Sequence, residues 1–239
     1  MKKTTTTILA TTLMATSLMA GPKIKLDLGY VGSTGDTETN NGVAKITASS
    51  TKKIFGKTVH CNNFISAIYT EANNDEVNKE FEFGHASTTD ITEKIVTYTS
   101  ADYLTSHHRN YDSKISVAVG AGYNIYKNEL IDVQIGAGPS FSYENYTDKK
   151  PSYHEFGANE YLLAKIALND TNNAHLKVSA FESADNFDTD YTIDTTAGIT
   201  AKLMDSVSLN FDYNVFYDNT PSTDNHTNTK TIMSLSYAF

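Results

Sequence analysis

The sequence predicts an all-β fold, a transmembrane antiparallel up-and-down β-barrel of about twelve strands. Three observations carry this. Apolar and polar residues alternate in short runs along nearly the whole chain, the period-two signature of strands with one oily and one wet face. Beyond residue 20 there is no run of about 18 apolar residues, so no transmembrane helix is on offer. The last stretch, Thr229 to Phe239, sets Thr231, Met233, Leu235, Tyr237 and Phe239 on one face against Lys230, Ile232, Ser234, Ser236 and Ala238 on the other. A terminal strand that ends on alternating aromatics with a final Phe resembles the closing strand of an outer-membrane barrel. Leu235, Tyr237 and Phe239 are therefore the expected closing and assembly signal, read by the barrel assembly machinery.

The start of the chain agrees with its end. Residues 1–20 open on Lys2 and Lys3, run through an apolar and Thr-rich zone, and close on Leu18, Met19 and Ala20 before Gly21. That layout is a secretory signal peptide, with cleavage expected after Ala20 and residues 21–239 forming the barrel. The net charge is −9, and loss of the two leader lysines takes it to about −11. So acidic a chain is a poor partner for nucleic acid. Cys61 is the single cysteine, which excludes an internal disulfide and suits a small wall or lipid-facing residue.

The strands are legible in order. Ile24, Leu26, Leu28 and Tyr30 alternate with Lys25, Asp27, Gly29 and Val31, and a polar loop follows from Ser33 to Gly42. Ala44, Ile46 and Ala48 continue opposite Lys45 as far as a turn at Phe55-Gly56-Lys57. A third strand carries Val59, Cys61, Ile65, Ala67 and Tyr69, although His60, Asn62, Phe64 and Ile68 give its other face apolar weight too. Phe81 and Phe83 alternate with Glu80 and Glu82. After a turn near Asp90 to Glu93, the chain returns with Asp102 inward and reaches His107-His108-Arg109-Asn110.

The clearest stripe is Ile115, Val117, Val119, Ala121, Tyr123 and Ile125, opposite Lys114, Ser116, Gly120, Gly122 and Asn124. Ile131, Val133, Ile135, Ala137, Phe141 and Tyr143 follow opposite Asp132, Gln134, Gly136, Gly138 and Ser140. Pro139 cannot donate a ladder hydrogen bond, so a bulge or a frayed pairing is expected there. Phe156, Leu162, Ala164, Ile166 and Leu168 return, and strict alternation puts Glu160 on their oily face. A lipid-facing acid is costly at mid-membrane, which predicts a register-shifting bulge or a place at the rim. Three more runs follow: Leu176 to Ala180, Ile193 to Leu203, and Val207 to Tyr217.

Short and longer connections alternate. The short ones belong at the periplasmic side, and an even strand number brings both termini to that side. Tyr30, Tyr69, Tyr123, Tyr143, Tyr217 and Tyr237 near strand ends suit interfacial girdles. The expected lumen-facing charges are Lys25, Asp27, Lys45, Glu80, Glu82, Asp102, Lys114, Asp132, Lys165, Lys177, Asp194, Lys202, Asp212 and Lys230, with Glu144 and Glu155 beside them. Charges of both signs in a narrow lumen either pair and brace it or line a wet path. Gly120, Gly122, Gly136 and Gly138 leave inner space for a solute, or relieve crowding where strands bend.

Sites of established chemistry are not evident. There is no nucleophile elbow, phosphate loop, zinc-type His pair or Cys pair, so no catalytic residue, metal or cofactor is assigned. The His107-His108 doublet is awkward for chelation, because neighbouring strand residues point to opposite faces. Asp185, Asp188 and Asp190, like Asp36 and Glu38, are most simply solvated loop charge, with weak calcium or magnesium bridging to lipopolysaccharide as the alternative. Two other functional classes stay open: a barrel enzyme hydrolysing lipid or peptide at its rim, and a soluble exported β-sandwich.

Several stretches together resemble one family. Leu28-Gly29-Tyr30 through Gly35-Asp36-Thr37-Glu38-Thr39 resembles its opening strand and Gly-Asn-Thr-acid-Thr loop, with Asp36 in place of Asn. Gly120-Ala121-Gly122-Tyr123 and Gly136-Ala137-Gly138-Pro139 resemble its paired glycine strands. Leu203 to Leu209, Asp218-Asn219-Thr220-Pro221 and Ser236-Tyr237-Ala238-Phe239 resemble its final hairpin. The chain thus looks like the salt-induced outer-membrane protein family, a domain family of unknown function. The resemblance implies an outer-membrane barrel linked to osmotic or ionic stress, in contact with membrane lipid and lipopolysaccharide. It brings no catalytic residues.

Overall fold

In the computed structural model, which describes residues 21–34, 39–69, 79–106, 109–147, 152–221 and 224–239, the period-two pattern becomes a closed wall. Its strands are β1 (Lys23–Thr34), β2 (Thr39–Ile54), β3 (Lys57–Tyr69), β4 (Lys79–Asp90), β5 (Ile95–Ser106) and β6 (Tyr111–Lys127), then β7 (Ile131–Tyr146), β8 (Tyr153–Ala167), β9 (Asn172–Ser183), β10 (Tyr191–Lys202), β11 (Val207–Asp218) and β12 (Thr227–Ala238). Each pairs antiparallel with its neighbour in sequence, and β1 pairs with β12. Leu28 stands opposite Leu235, Leu26 opposite Tyr237, and the Phe239 amide donates to the Ile24 carbonyl at 2.9 Å. Closure removes both sheet edges, which is what lets a sheet sit in lipid with every ladder group paired.

The oily rows face outward. Leu28, Ile46, Val119, Ile125, Ile199, Phe211, Met233 and Leu235 are each about half exposed on the outer wall. Tyr30, Tyr69, Tyr123 and Tyr237 are exposed on the same face. Connections of two to four residues lie at one end with the start of β1 and the end of β12, and connections of four to nine residues lie at the other. The tightest is Phe55-Gly56, where φ angles of 49° and 76° make a two-residue turn whose twist matches the strands it joins. The expected signal peptide, the loop acids Asp36 and Glu38, and His107-His108 lie outside the described residues.

Two sequence expectations about the wall meet the geometry differently. Around Pro139 the β7–β8 register runs on, with Pro139 opposite Ala158, while the β6–β7 ladder is interrupted between Ala118–Ser140 and Ala121–Ala137. The missing donor is therefore felt on one side only. Glu160 is a correction. It stands opposite Ala137 and Ala180 in unshifted register, at the middle of β8 and exposed on the outer face. Neither a bulge nor the rim accounts for it.

Candidate functional site

Inside the wall, the polar rows converge on a lumen with three tiers. At the long-loop end, Lys230 at the start of β12 donates to both carboxylate oxygens of Glu80 at the start of β4, each at 2.6 Å. The pair crosses between strands four places apart in the ring. Ser106 donates to Glu80 at 2.7 Å, and the same hydroxyl accepts the Arg109 amide at 3.3 Å. This Ser106 bridge ties the β5–β6 loop down.

Arg109 is the residue the strand pattern missed. The four-residue connection of β5 and β6 ends on Asn110 in the left-handed region, φ 58°, a conformation that Asn tolerates. Arg109 carries its guanidinium into the lumen, 4.3 Å above the Phe216 ring and 3.7 Å from Asp194 on β10. Alternation locates strand faces and is silent about loop side chains. Composition did hold a signal, because Arg109 is the sole arginine of the chain. A planar, permanently charged fork on a tethered loop is well suited to bracing facing carboxylates. Beside it, Lys114 reaches Glu144 at 2.5 Å, Tyr146 donates to Glu144 at 2.5 Å, and Tyr153 donates to Glu155 at 3.4 Å.

The middle tier is a cavity of about 400 Å³ whose lining includes Phe64, Glu82, Asp102, Lys177, Asn159 and Tyr161. That volume accepts a cluster of waters or a hydrated ion. Lys45 lies 4.2 Å above the Phe64 ring, so this cation is turned onto an aromatic face.

The inner glycines do not leave open space. A side chain at Gly120 would strike the Tyr98 ring, and one at Gly136 would meet Tyr161 at 2.3 Å. Tyr98 and Tyr161 meet edge to face at 4.8 Å over these glycines, with Tyr161 donating to Gln134 at 2.9 Å and Tyr98 to the Asn159 carbonyl at 3.2 Å. Gly120, Gly122 and Gly136 are small because tyrosines lie across them, and Gly138 because the Val119 carbonyl and the Gly120 backbone press against it.

The third tier, at the short-turn end, is held along the wall. Lys25 sits 3.0 Å from Asp27, Ser236 donates to Asp27, and Asn210 donates to Ser234 at 3.3 Å and also to Ser236. Thr200 donates to Asn210 at 2.9 Å. His175 and Asp212 approach to 3.1 Å, and Asp132 stands opposite Lys165. Lys202 departs from the lumen set: it bonds Asp205 in the following turn at 2.9 Å, at the rim. That hydrogen bond holds the Asp205 carboxyl below the usual carboxylate range. Tier by tier, Glu80, Lys230, Lys114 and Asp194 gather at the long-loop end. Glu82, Asp102, Lys45 and Lys177 lie at mid-height, and Lys25, Asp27, Asp132, Lys165 and Asp212 lie below them.

Among the described residues there is no group of three or more His, Cys, Asp or Glu placed to hold a metal. Asp190 is instead used structurally, accepting from Thr220 at 2.8 Å, so that the β9–β10 and β11–β12 loops are stitched together.

Comparison with known proteins agrees with the barrel. The solved structures it resembles include an outer membrane channel from Pseudomonas putida F1 (TM-score 0.59, 9% identity, 93% of this chain and 97% of that one). The NanC porin follows (TM-score 0.57, 5% identity, 89% and 98%). Outer membrane phospholipase A from Escherichia coli is a further likeness (TM-score 0.54, 10% identity, 89% of each chain). At such identities these likenesses speak for fold alone. By sequence, the chain is 24% identical over 217 residues to the uncharacterized protein YdiY of Escherichia coli strain K12, covering 89% of this chain and 81% of that protein. A family model described as a protein of unknown function, DUF481, matches residues 26–239, and the chain belongs to that family.

Proposed function

We propose that the protein is a narrow outer-membrane channel for small ions and hydrophilic solutes, constricted at its long-loop end by Arg109. The observation that carries this reading is the position of Arg109, hung from a tethered loop above a central cavity that Glu82, Asp102 and Lys177 help to line, and braced against Asp194 and Phe216. A barrel that only needed filling would do so more cheaply with apolar side chains, since ion pairs taken out of water cost desolvation energy. Charges of both signs around a wet cavity are the means by which pores select. Contacts with lipid, lipopolysaccharide and the assembly machinery follow from the same reading, as does residence in the outer membrane.

A second reading rests on the Glu80–Lys230 pair, in which the crossed charges close the lumen and the barrel braces the envelope. Planar-bilayer recording of the refolded protein over a range of salt separates the two. Small steady steps with a definite ion preference support the channel. A silent bilayer containing folded, inserted barrel sinks it in favour of the brace. The rim-hydrolase alternative has only a shared fold behind it, and lipase and protease assays with calcium are expected to show no turnover.

A further inference from the structure

The outer wall carries two polar anomalies at mid-height. Glu160 lies seven residues from either end of β8, in a hollow of about 700 Å³ lined by Ala121, Ala137, Ala180, Ile135, Leu162 and Val178 among others. Ala121, Ala137, Glu160 and Ala180 stand directly opposite one another across β6, β7, β8 and β9. Among the described residues, none of the ion pairs includes Glu160.

The second anomaly is His85, six residues from the start of β4 and five from its end. It lies on the outward face, since its neighbour Gly84 is turned toward Phe64 and Asp102 inside. Its Nδ1 is 2.7 Å from Asn63 Oδ1, and Asn63 is 3% exposed with its Nδ2 unpartnered among the described residues. An acid and a base facing lipid at mid-membrane are expensive features that call for partners. They cannot satisfy each other within one barrel, because β4 and β8 are four strands apart in a ring of twelve.

We propose that the Glu160 hollow receives the β4 wall of a second copy of this chain, joining Glu160 of one barrel to His85 of the next. Copies inserted in the same direction hold both groups at matching depth. The imidazole nitrogen not engaged by Asn63 takes the carboxylic proton or shares it. The alanines let the walls approach closely, as small residues do at membrane interfaces where polar side chains act as glue. Each copy offers one donor patch and one acceptor patch a third of the circumference apart. The contact is therefore heterologous and builds rings or chains.

The test uses energy transfer between donor- and acceptor-labelled full-length barrels in dilute lipid vesicles, with labels on Glu129→Cys in a Cys61→Ser background. Wild-type copies are expected to transfer severalfold above random co-localisation. Glu160→Leu alone and His85→Leu alone fall to the random level, although both fold, since leucine suits a lipid-facing strand position. Mixing Glu160→Leu with His85→Leu copies restores transfer, because each retains the half the other lacks. Monomeric wild type, persistent self-association of His85→Leu alone, or failure of the mixture to recover would each overturn the proposal.

Discussion

The two ends of the lumen are braced by different physics. At the long-loop end two contacts cross the barrel: Glu80 on β4 holds Lys230 on β12, and Arg109 reaches from the β5–β6 loop to Asp194 on β10. At the short-turn end the contacts stay on the wall, between adjacent strands in the Asn210, Ser234 and Ser236 cluster and the Asp27–Ser236 bond, and over one intervening strand in the His175–Asp212 pair. Even Tyr98 and Tyr161, three strands apart, meet by lying flat over glycines. Contacts along the wall stiffen the sheet and leave its bore alone, whereas contacts across it decide whether anything passes. On the proposed channel reading, conduction control belongs to the crossed tier and wall stability to the other.

That contrast can be broken by experiment. The largest effect is expected from Lys230→Met, which leaves the buried Glu80 charge with the Ser106 hydroxyl but without its cation. Urea unfolding in vesicles should lose about 3 kcal/mol, while Glu80→Gln with Lys230→Met recovers most of it. A loss that the double variant does not recover would mean that the pair matters through packing.

Next comes Gly136→Ala, which drives a methyl into the Tyr161 ring and should cost about 1–3 kcal/mol. Tyr161→Ala in the same chain should remove that penalty, leaving only its own. If Gly136→Ala is harmless beside intact Tyr161, the tyrosine does not lie on the wall. The smallest effect is at the closing strand. Tyr237→Ala removes an edge-to-face contact with Phe239 at 4.8 Å and should cost about 1 kcal/mol in vitro, with a larger loss of assembled barrel in cells. Equal loss in both settings would speak against an assembly signal.

Much of the wall was legible because lipid outside and water inside impose opposite demands on alternate residues. Twelve strands, their order and the Phe55-Gly56 turn follow from that alternation. Sequence reading fails where the alternation carries no information. Tyr98, Phe64 and Phe216 are apolar and inward, which a two-letter pattern cannot separate from a register error. Gly120 and Gly136 are intelligible only once the rings above them are placed. Arg109 belongs to a loop, where periodicity does not apply. Glu160 breaks the pattern outright, and the pattern alone could only explain it away.

The ratio of single-channel conductance in Arg109→Ala to that in wild type, recorded in the same bilayer, tests the role of Arg109 most directly. Removing the guanidinium should raise conductance severalfold and move selectivity toward cations, as Asp194 loses its facing charge. Unchanged conductance and selectivity in a folded, inserted variant would contradict the claim that Arg109 is the constriction.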